Sequence, residues 1–202
     1  MVGLIIYKKT NFLERIMENK SIPTSLSVNG TEYDIISLLG KGKGGYSYLA
    51  KKAGDDRLLV LKQIHHEPCS YYQFGNKIEA ERNDYNRLVD AGIPVPKMLD
   101  IDMKSERIVK EYIDGKTVDR LVIETDGNLG DEILSQARAM ADLAKSRGLN
   151  IDYFPTNFIL EGDKLYYIDY ECNPYMDEWN FENWGIKYWS KTKEFCAHFI
   201  KS

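Results

Sequence analysis

Residues 150–160 read NIDYFPTNFIL and residues 166–171 read YYIDYE, so Asp152, Asn157 and Asp169 interrupt short apolar runs of strand-forming type. Asp and Asn are poor strand formers, and the plain explanation of all three is a pair of turns. The chemical explanation is that stiff apolar flanks hold Asp152 as a base and Asn157 and Asp169 as oxygen ligands for a hard divalent cation. Which explanation holds depends on what surrounds these residues.

With 202 residues, 43% of them hydrophobic, the chain can bury a sizeable core as one domain or two small lobes. A net charge of -4 and a sequence pI near 5.5 give no reason to expect a nucleic-acid footprint. Cys69, Cys172 and Cys196 are widely spaced and form no CxxC or Cys/His pattern. They therefore read as reduced thiols, with neither a disulfide framework nor a zinc site. The VGLII run near the start lacks the length and cleavage signal of a secretory leader. No later run approaches the roughly 20 apolar residues of a membrane span, so the expected location is the cytoplasm, without a membrane partner.

Along the chain, TNFLERIMENK places Phe12, Leu13, Ile16 and Met17 on one face of a short leading helix. SIPTSLSVNG reads as turn. TEYDIISLLG, YSYLAKKA and RLLVLKQI then read as an antiparallel meander punctuated by GKGKGG and AGDD. NKIEAERNDYNRLVDA predicts an amphipathic helix stopped by Gly92 and Pro94. VPKMLDID and RIVKEYIDG follow as two more strands, giving a sheet of about five strands with one helix. DEILSQARAMADLAKSRG predicts a second amphipathic helix, NFILEGDKLYYIDY a hairpin turning at Glu161-Gly162-Asp163, and ENWGIKYWSKTKEFCAHFI a closing helix.

Around the opening stretch stand three further features. Gly40, Gly42 and Gly45 fit GxGxxG between two strands, which is not a dinucleotide-binding turn because no helix follows. Closely spaced glycines let backbone approach phosphate oxygens, although a hairpin tip needs glycines too. The next strand ends LLVLKQI, where Val60-Leu61-Lys62 fits a signature whose lysine reaches phosphates from a strand. Glu81 or Glu79 on the following helix could orient that lysine. Asp152 and Asn157 then have the interval of the acid and amide in H-R-D-L-x-x-x-N, and Asp169 lies where D-F-G would be expected.

Taken in order, these features resemble the protein-kinase-like superfamily over about residues 31–190. EAERNDYNRLVDAGIPVPKMLDID followed by IVKEYIDG looks most like its small atypical members, the Rio and KEOPS-associated kinase families. That resemblance favours Glu81 as the lysine's partner and makes the backbone of Glu111, Tyr112 and Ile113 the adenine contact. It implies an α+β, two-lobed protein-kinase-like fold: an extension over 1–30, a β-rich N-lobe over 31–113, and a truncated, mainly helical C-lobe over 114–202. Asn150 and Ile151 replace His and Arg, which removes the usual coupling to a phosphorylated activation loop. Ser47 stands where the glycine loop normally continues to Val. Tyr170-Glu171 replaces Phe-Gly, which is similar to choline kinases and aminoglycoside phosphotransferases.

The expected activity is ATP- and Mg²⁺-dependent phosphotransfer, as an atypical protein serine/threonine kinase. Lys62 would hold the α/β-phosphates with Glu81, Asp152 would be the base, and Asn157 and Asp169 would hold the metal. The alternatives are a small-molecule kinase and a non-catalytic nucleotide-binding scaffold. The resemblance to the KEOPS-associated kinases, which commonly work with a partner protein, implies a protein partner. His65 and His66, lacking a third ligand, read as surface or loop residues. Trp179, Trp184 and Trp189, with Tyr166, Tyr167 and Tyr188, read as packing.

Overall fold

The computed structural model describes residues 22–67 and 75–200. The leading helix expected near Phe12 and the thiol of Cys69 lie outside the described residues. Contacts divide the chain into two compact units: residues up to Ile78 with Lys97–Tyr112, and Glu79–Pro96 with the residues from Ile113 onward.

The first unit is a six-stranded antiparallel sheet in the order β1-β2-β3-β4-β6-β5. Its strands are β1 (Ser25–Val28), β2 (Thr31–Lys41), β3 (Gly45–Lys52), β4 (Leu58–Ile64), β5 (Met98–Asp102) and β6 (Arg107–Glu111). The expected count was about five, because SIPTSLSVNG read as turn. β1 pairs with β2 through Val28 and Thr31 across Asn29-Gly30, both at positive φ (47° and 80°). That is the Asn-Gly hairpin preference, and it converts the preceding LSV into a strand.

The sheet curls until its edges meet. Asn29 Nδ2, at the tip of the β1–β2 hairpin, donates to Asp100 Oδ1 (2.8 Å) and Ile101 O (3.1 Å) on β5. Arg107 Nη1 donates to Ser27 O at 2.7 Å. Donor N–H groups, Ser105's above all and Asn29's next, hold the Asp102 carboxyl well below the ordinary carboxylate range. Two register shifts in β2, between Ile35 and Ser37 and between Leu38 and Gly40, bend that strand. Each inserts one unpaired residue, and those residues, Ile36 and Leu39, are exposed. Inside the curl lie Val28, Tyr33, Tyr48, Ala50, Leu59, Leu61 and Val109.

Helix α1 (Lys77–Asp90) ends as expected at Gly92, which has φ 80°. Gly92 N donates to Val89 O and Ile93 N to Leu88 O, the two bonds of a Schellman stop, with Ile93 and Leu88 both buried beside it. The second unit takes up α1 from Glu79 onward.

It also holds β7 (Lys116–Thr117), α2 (Val118–Glu124), α3 (Asp131–Ser146), β8 (Leu149–Ile151), β9 (Phe158–Glu161), β10 (Lys164–Tyr167), β11 (Cys172–Pro174) and α4 (Lys193–Phe199). β10, β9 and β7 form one antiparallel sheet, and β11 pairs with β8 in another. Gly115 lets β7 reach β9, since a Cβ there would stand 2.1 Å from Leu160 O. The reading of the sequence missed α2, whose buried stripe is only Val118 and Val122, one turn long.

The single closing helix expected after Glu182 is instead broken. A π-turn runs over Phe181–Gly185, a 3-10 turn over Ile186–Tyr188, and α4 follows. Asn180 Oδ1 accepts from Asn183 N (2.7 Å) and caps the start of the π-turn, and Thr192 Oγ1 accepts from Phe195 N (3.1 Å), a second N-cap that begins α4 afresh. Between them Trp189 is buried, with its ring edge-on to Phe158 (4.9 Å) and Phe181 (5.2 Å). Its Nε1 donates to Tyr153 O at 2.8 Å. Gly185 permits this approach, because a Cβ there would lie 2.6 Å from Tyr153 Cβ.

Trp189→Phe keeps the ring but leaves the Tyr153 carbonyl buried without that donor, a loss of about 1–3 kcal/mol. Chemical denaturation should show it as a lower midpoint at unchanged slope.

Candidate functional site

The second unit gathers the polar residues of the opening stretch. β8 ends at Ile151, paired with Cys172 at the start of β11, so Asp152 and Glu171 leave the same end of that ladder. Phe154 N donates to Asp152 Oδ1 (3.1 Å), closing an Asx turn, and Asn157 Nδ2 donates to Asp152 O (3.3 Å). The 3-10 turn Pro155–Asn157 carries that amide, with Pro155 at its first position. Ile168 N donates to Asn157 O at 2.8 Å, which brings the residue before Asp169 against the loop. Asp169 Oδ1 accepts from Tyr170 N (2.8 Å). Asp152, Asn157 and Asp169 thus belong to one local cluster, and Glu171 is a fourth polar member.

Tyr167 joins these segments. Its ring is fully buried, its hydroxyl accepts from Asp152 N (3.3 Å) and donates to Glu171 O (2.8 Å), and its own N–H donates to Pro94 O (2.9 Å). Burial pushes the phenol pKa well up, with Asp169, Asp152 and Glu171 adding to the shift, so it remains a neutral donor. Tyr170, the residue in place of the usual Phe, uses its hydroxyl on Pro96 O (2.7 Å) and packs on Tyr85. The turn that ends α1 is therefore gripped by β10 and by the segment after it. Asn150 is buried and donates to Met176 O (2.8 Å), while its Oδ1 accepts no bond among the described residues.

Burial raises the Asp152 pKa to about 6, with repulsion from Glu171 and Asp169 pushing the same way and the Phe154 N–H opposing it. A carboxyl so placed is a stronger base than an exposed one and is ionised at neutral pH.

A divalent cation tests the donor set. Among the described residues no three His, Cys, Asp or Glu side chains are grouped to hold a metal. Asn157 and Asp169 offer a carboxamide and a carboxylate on a short, hydrogen-bonded hairpin. That suits Mg²⁺, which keeps waters and takes substrate phosphates as its remaining ligands.

The first unit holds the glycine hairpin and Lys62. Gly40 pairs with Ser47 and Ser47 with Lys62, so all lie on neighbouring strands. The three glycines differ in purpose. A Cβ on Gly45 would stand 2.4 Å from Gln63 O, so that glycine is required by β3–β4 pairing. Gly40 and Gly42 have open space around them and no positive φ, so the fold itself asks for neither. Lys62 is only 9% exposed, and Lys110, diagonal to it on β6 through the Val60 pair, is 7% exposed. Both are partnered, as buried ammonium groups must be. Glu81 lies on α1, in the second unit, while Glu111 and Tyr112 close the first unit and Ile113 opens the second. Glu111 Oε2 accepts from Lys97 N at 3.2 Å.

Sequence reasoning did not reach Tyr167, Lys77 or His65 as site-supporting residues. Packing was the expectation for Tyr167, and a surface or loop place for His65, which does stand in the loop after β4. His65 in fact binds the glycine hairpin through Gly42 O (3.0 Å). The two described cysteines are free, and burial pushes the Cys172 thiol to about 12.

No protein-family model matches the chain. Over 164 residues, 77% of its length, the chain is 27% identical to a protein of Methanobrevibacter smithii named a probable bifunctional tRNA threonylcarbamoyladenosine biosynthesis protein. It spans 26% of that protein.

Two outcomes are expected. A raised carboxyl pKa means the folded chain binds that proton more tightly than the unfolded chain, so stability falls as pH rises from the ordinary 3.8 to about 6. Asp152→Asn should therefore stabilise the protein at pH 8, by on the order of 2 kcal/mol, and by much less at pH 4, as read in thermal melts. Gly45→Ala should lower the melting temperature while Gly42→Ala leaves it within about a degree.

Proposed function

We propose that this chain is an ATP- and Mg²⁺-dependent phosphotransferase with a two-lobed, protein-kinase-like fold. The observation that carries the reading is Asp152, a carboxyl with its pKa raised to about 6, fixed by Phe154 N–H beside Asn157, Asp169 and Glu171. It agrees with the sequence order of glycine hairpin, strand lysine, helix glutamate, acid-amide loop and second acid, and with the distant relative described above.

In this reading Gly40, Gly42 and Gly45 cover the phosphates, Lys62 orients them with Glu81, and the backbone of Glu111–Ile113 meets the adenine. Asp152 accepts the proton of the attacking hydroxyl as its oxygen bonds to the γ-phosphorus and ADP departs. Asn157 and Asp169 would hold Mg²⁺, which supplies charge neutralisation at the β- and γ-phosphates. The remaining contribution of the chain is positioning. The reading needs both units to act on one nucleotide.

An alcohol on a protein side chain is the favoured acceptor class, with serine/threonine kinase activity. Because the relative is named for tRNA threonylcarbamoyladenosine biosynthesis, we place the chain in the same process, where it corresponds to one part of a larger protein and works with a protein partner in the cytoplasm. A second reading rests on Glu171, an exposed carboxylate beside Asp152. Such a group would attract a cationic small-molecule acceptor.

Radiolabelled ATP transfer to self, to generic protein and to metabolite extract separates these readings. Asp152→Asn should cut transfer at least about a hundredfold and keep ATP binding, and wild-type activity should fall about tenfold per pH unit below 6 as Asp152 takes up its proton. Asp169→Ala should lose Mg²⁺-dependent nucleotide binding. Full activity in either variant rejects the assigned role, and label found only in metabolites selects the second reading.

A further inference from the structure

Lys77 is the first residue of α1 and is only 5% exposed. A cation at a helix N-terminus opposes the helix dipole, and burying its ammonium adds a desolvation cost. Strong acceptors must offset both, and two of them are carbonyls of the first unit: Nζ donates to His65 O (2.5 Å) and to Lys43 O (3.2 Å), at the tip of the glycine hairpin.

The other carbonyls of that tip are held as well. His65 Nδ1 accepts from Glu67 N (3.2 Å), which assigns the ring proton to Nε2, and Nε2 donates to Gly42 O (3.0 Å). His65 N donates to Gly44 O (3.4 Å), and Gly42 N to Gly45 O (2.9 Å). The segment after β4 and the start of α1 therefore take the three carbonyls from Gly42 to Gly44, and the hairpin's own Gly42 N takes that of Gly45.

The consequence follows from peptide geometry. In a trans peptide the C=O and the N–H of the next residue point in opposite directions. Fixing Gly42 O and Lys43 O to His65 and Lys77 turns the N–H groups of Lys43 and Gly44 away from those donors. Among the described residues neither N–H donates to any group of the chain. Two adjacent outward N–H groups, with their carbonyls withdrawn, present the positive ends of peptide dipoles and suit an anion. A hairpin free to flip either peptide would present a carbonyl oxygen there instead and repel phosphate.

We propose that Lys77, assisted by His65, is a positioning residue for the nucleotide: by holding the carbonyls of Lys43 and Gly42 it aims the N–H groups of Gly44 and Lys43 at the phosphates. The proposal rests on the nucleotide-binding reading above. It assigns Lys77 no contact with ATP, and it explains why a lysine is buried where a helix begins.

The test compares dissociation constants of ATP and of adenosine, with Mg²⁺ present, for the wild type, Lys77→Met, Lys77→Arg and His65→Ala. Lys77→Met should weaken ATP about tenfold, as expected for losing charge-assisted bonds, and leave adenosine within about twofold. Lys77→Arg, which can reach both carbonyls, should recover most of the loss. His65→Ala should show the same selectivity with a smaller effect, and serves if Lys77→Met fails to fold. Unchanged ATP affinity, or equal weakening of ATP and adenosine, overturns the positioning role. A wild type that binds neither ligand overturns the nucleotide reading itself, and this proposal with it.

Discussion

The hydroxyl of Tyr167 is the constraint on which the second unit's site depends. One buried oxygen accepts the Asp152 N–H and donates to Glu171 O, so the end of β8 and the start of β11 are tied to the last residue of β10. The backbone N–H of the same residue takes Pro94 O. Without that oxygen, Asp152 N–H and Glu171 O would lose a shared partner in a region that offers little water. Trp189 closes the loop from behind through Tyr153 O, with its ring edge-on to Phe158 and Phe181. The result is a carboxyl that is recessed and beside other acids, yet held by the Phe154 N–H and the Asn157 side chain.

That arrangement costs stability and yields basicity, for the same reason. Burial disfavours the ionised carboxylate and so raises its affinity for a proton. The fold offsets the cost with a dense aromatic packing around the loop. In the first unit the equivalent tension sits on ammonium groups: Lys62, Lys77 and Lys110 are each less than one-tenth exposed. Lys62 and Lys110 alternate with Leu61 and Val109 and so stand on the face of the sheet away from the curl's interior, while Lys77 is satisfied in part by the carbonyls of Lys43 and His65. In each unit backbone groups hold one such charge, the Phe154 N–H on Asp152 and two carbonyls on Lys77.

The sheet of the first unit, the amphipathic α1 with its Gly92 stop, and the β9–β10 hairpin were legible because each is written in local pattern. Alternation, helical spacing and turn residues act over a few positions. β1 was missed because LSV is too short to register, although the Asn-Gly turn that creates it was visible. The broken closing segment was read as one helix because its aromatic spacing resembles a stripe. What interrupts it is the second N-cap at Thr192, together with the seat that Trp189 takes against Tyr153. Gly45 was grouped with Gly40 and Gly42 by spacing alone, and only the 2.4 Å approach to Gln63 O separates a packing glycine from two that the fold leaves free.

By itself the sequence determined most strands of the first sheet, the helix that ends at Gly92 and the β9–β10 hairpin, and it placed Asp152, Asn157 and Asp169 at the ends of short strands, because strand and turn preferences are properties of neighbouring residues. The tertiary structure alone decided that burial pushes the Asp152 pKa up to about 6, that Glu171 stands near it and that Tyr167 is a bridge. It alone decided that Lys77 and His65 face the glycine hairpin. Basicity depends on burial and on charges from other segments, and the direction of a peptide dipole depends on which distant donor holds its carbonyl. Neither quantity is carried by any window of residues along the chain.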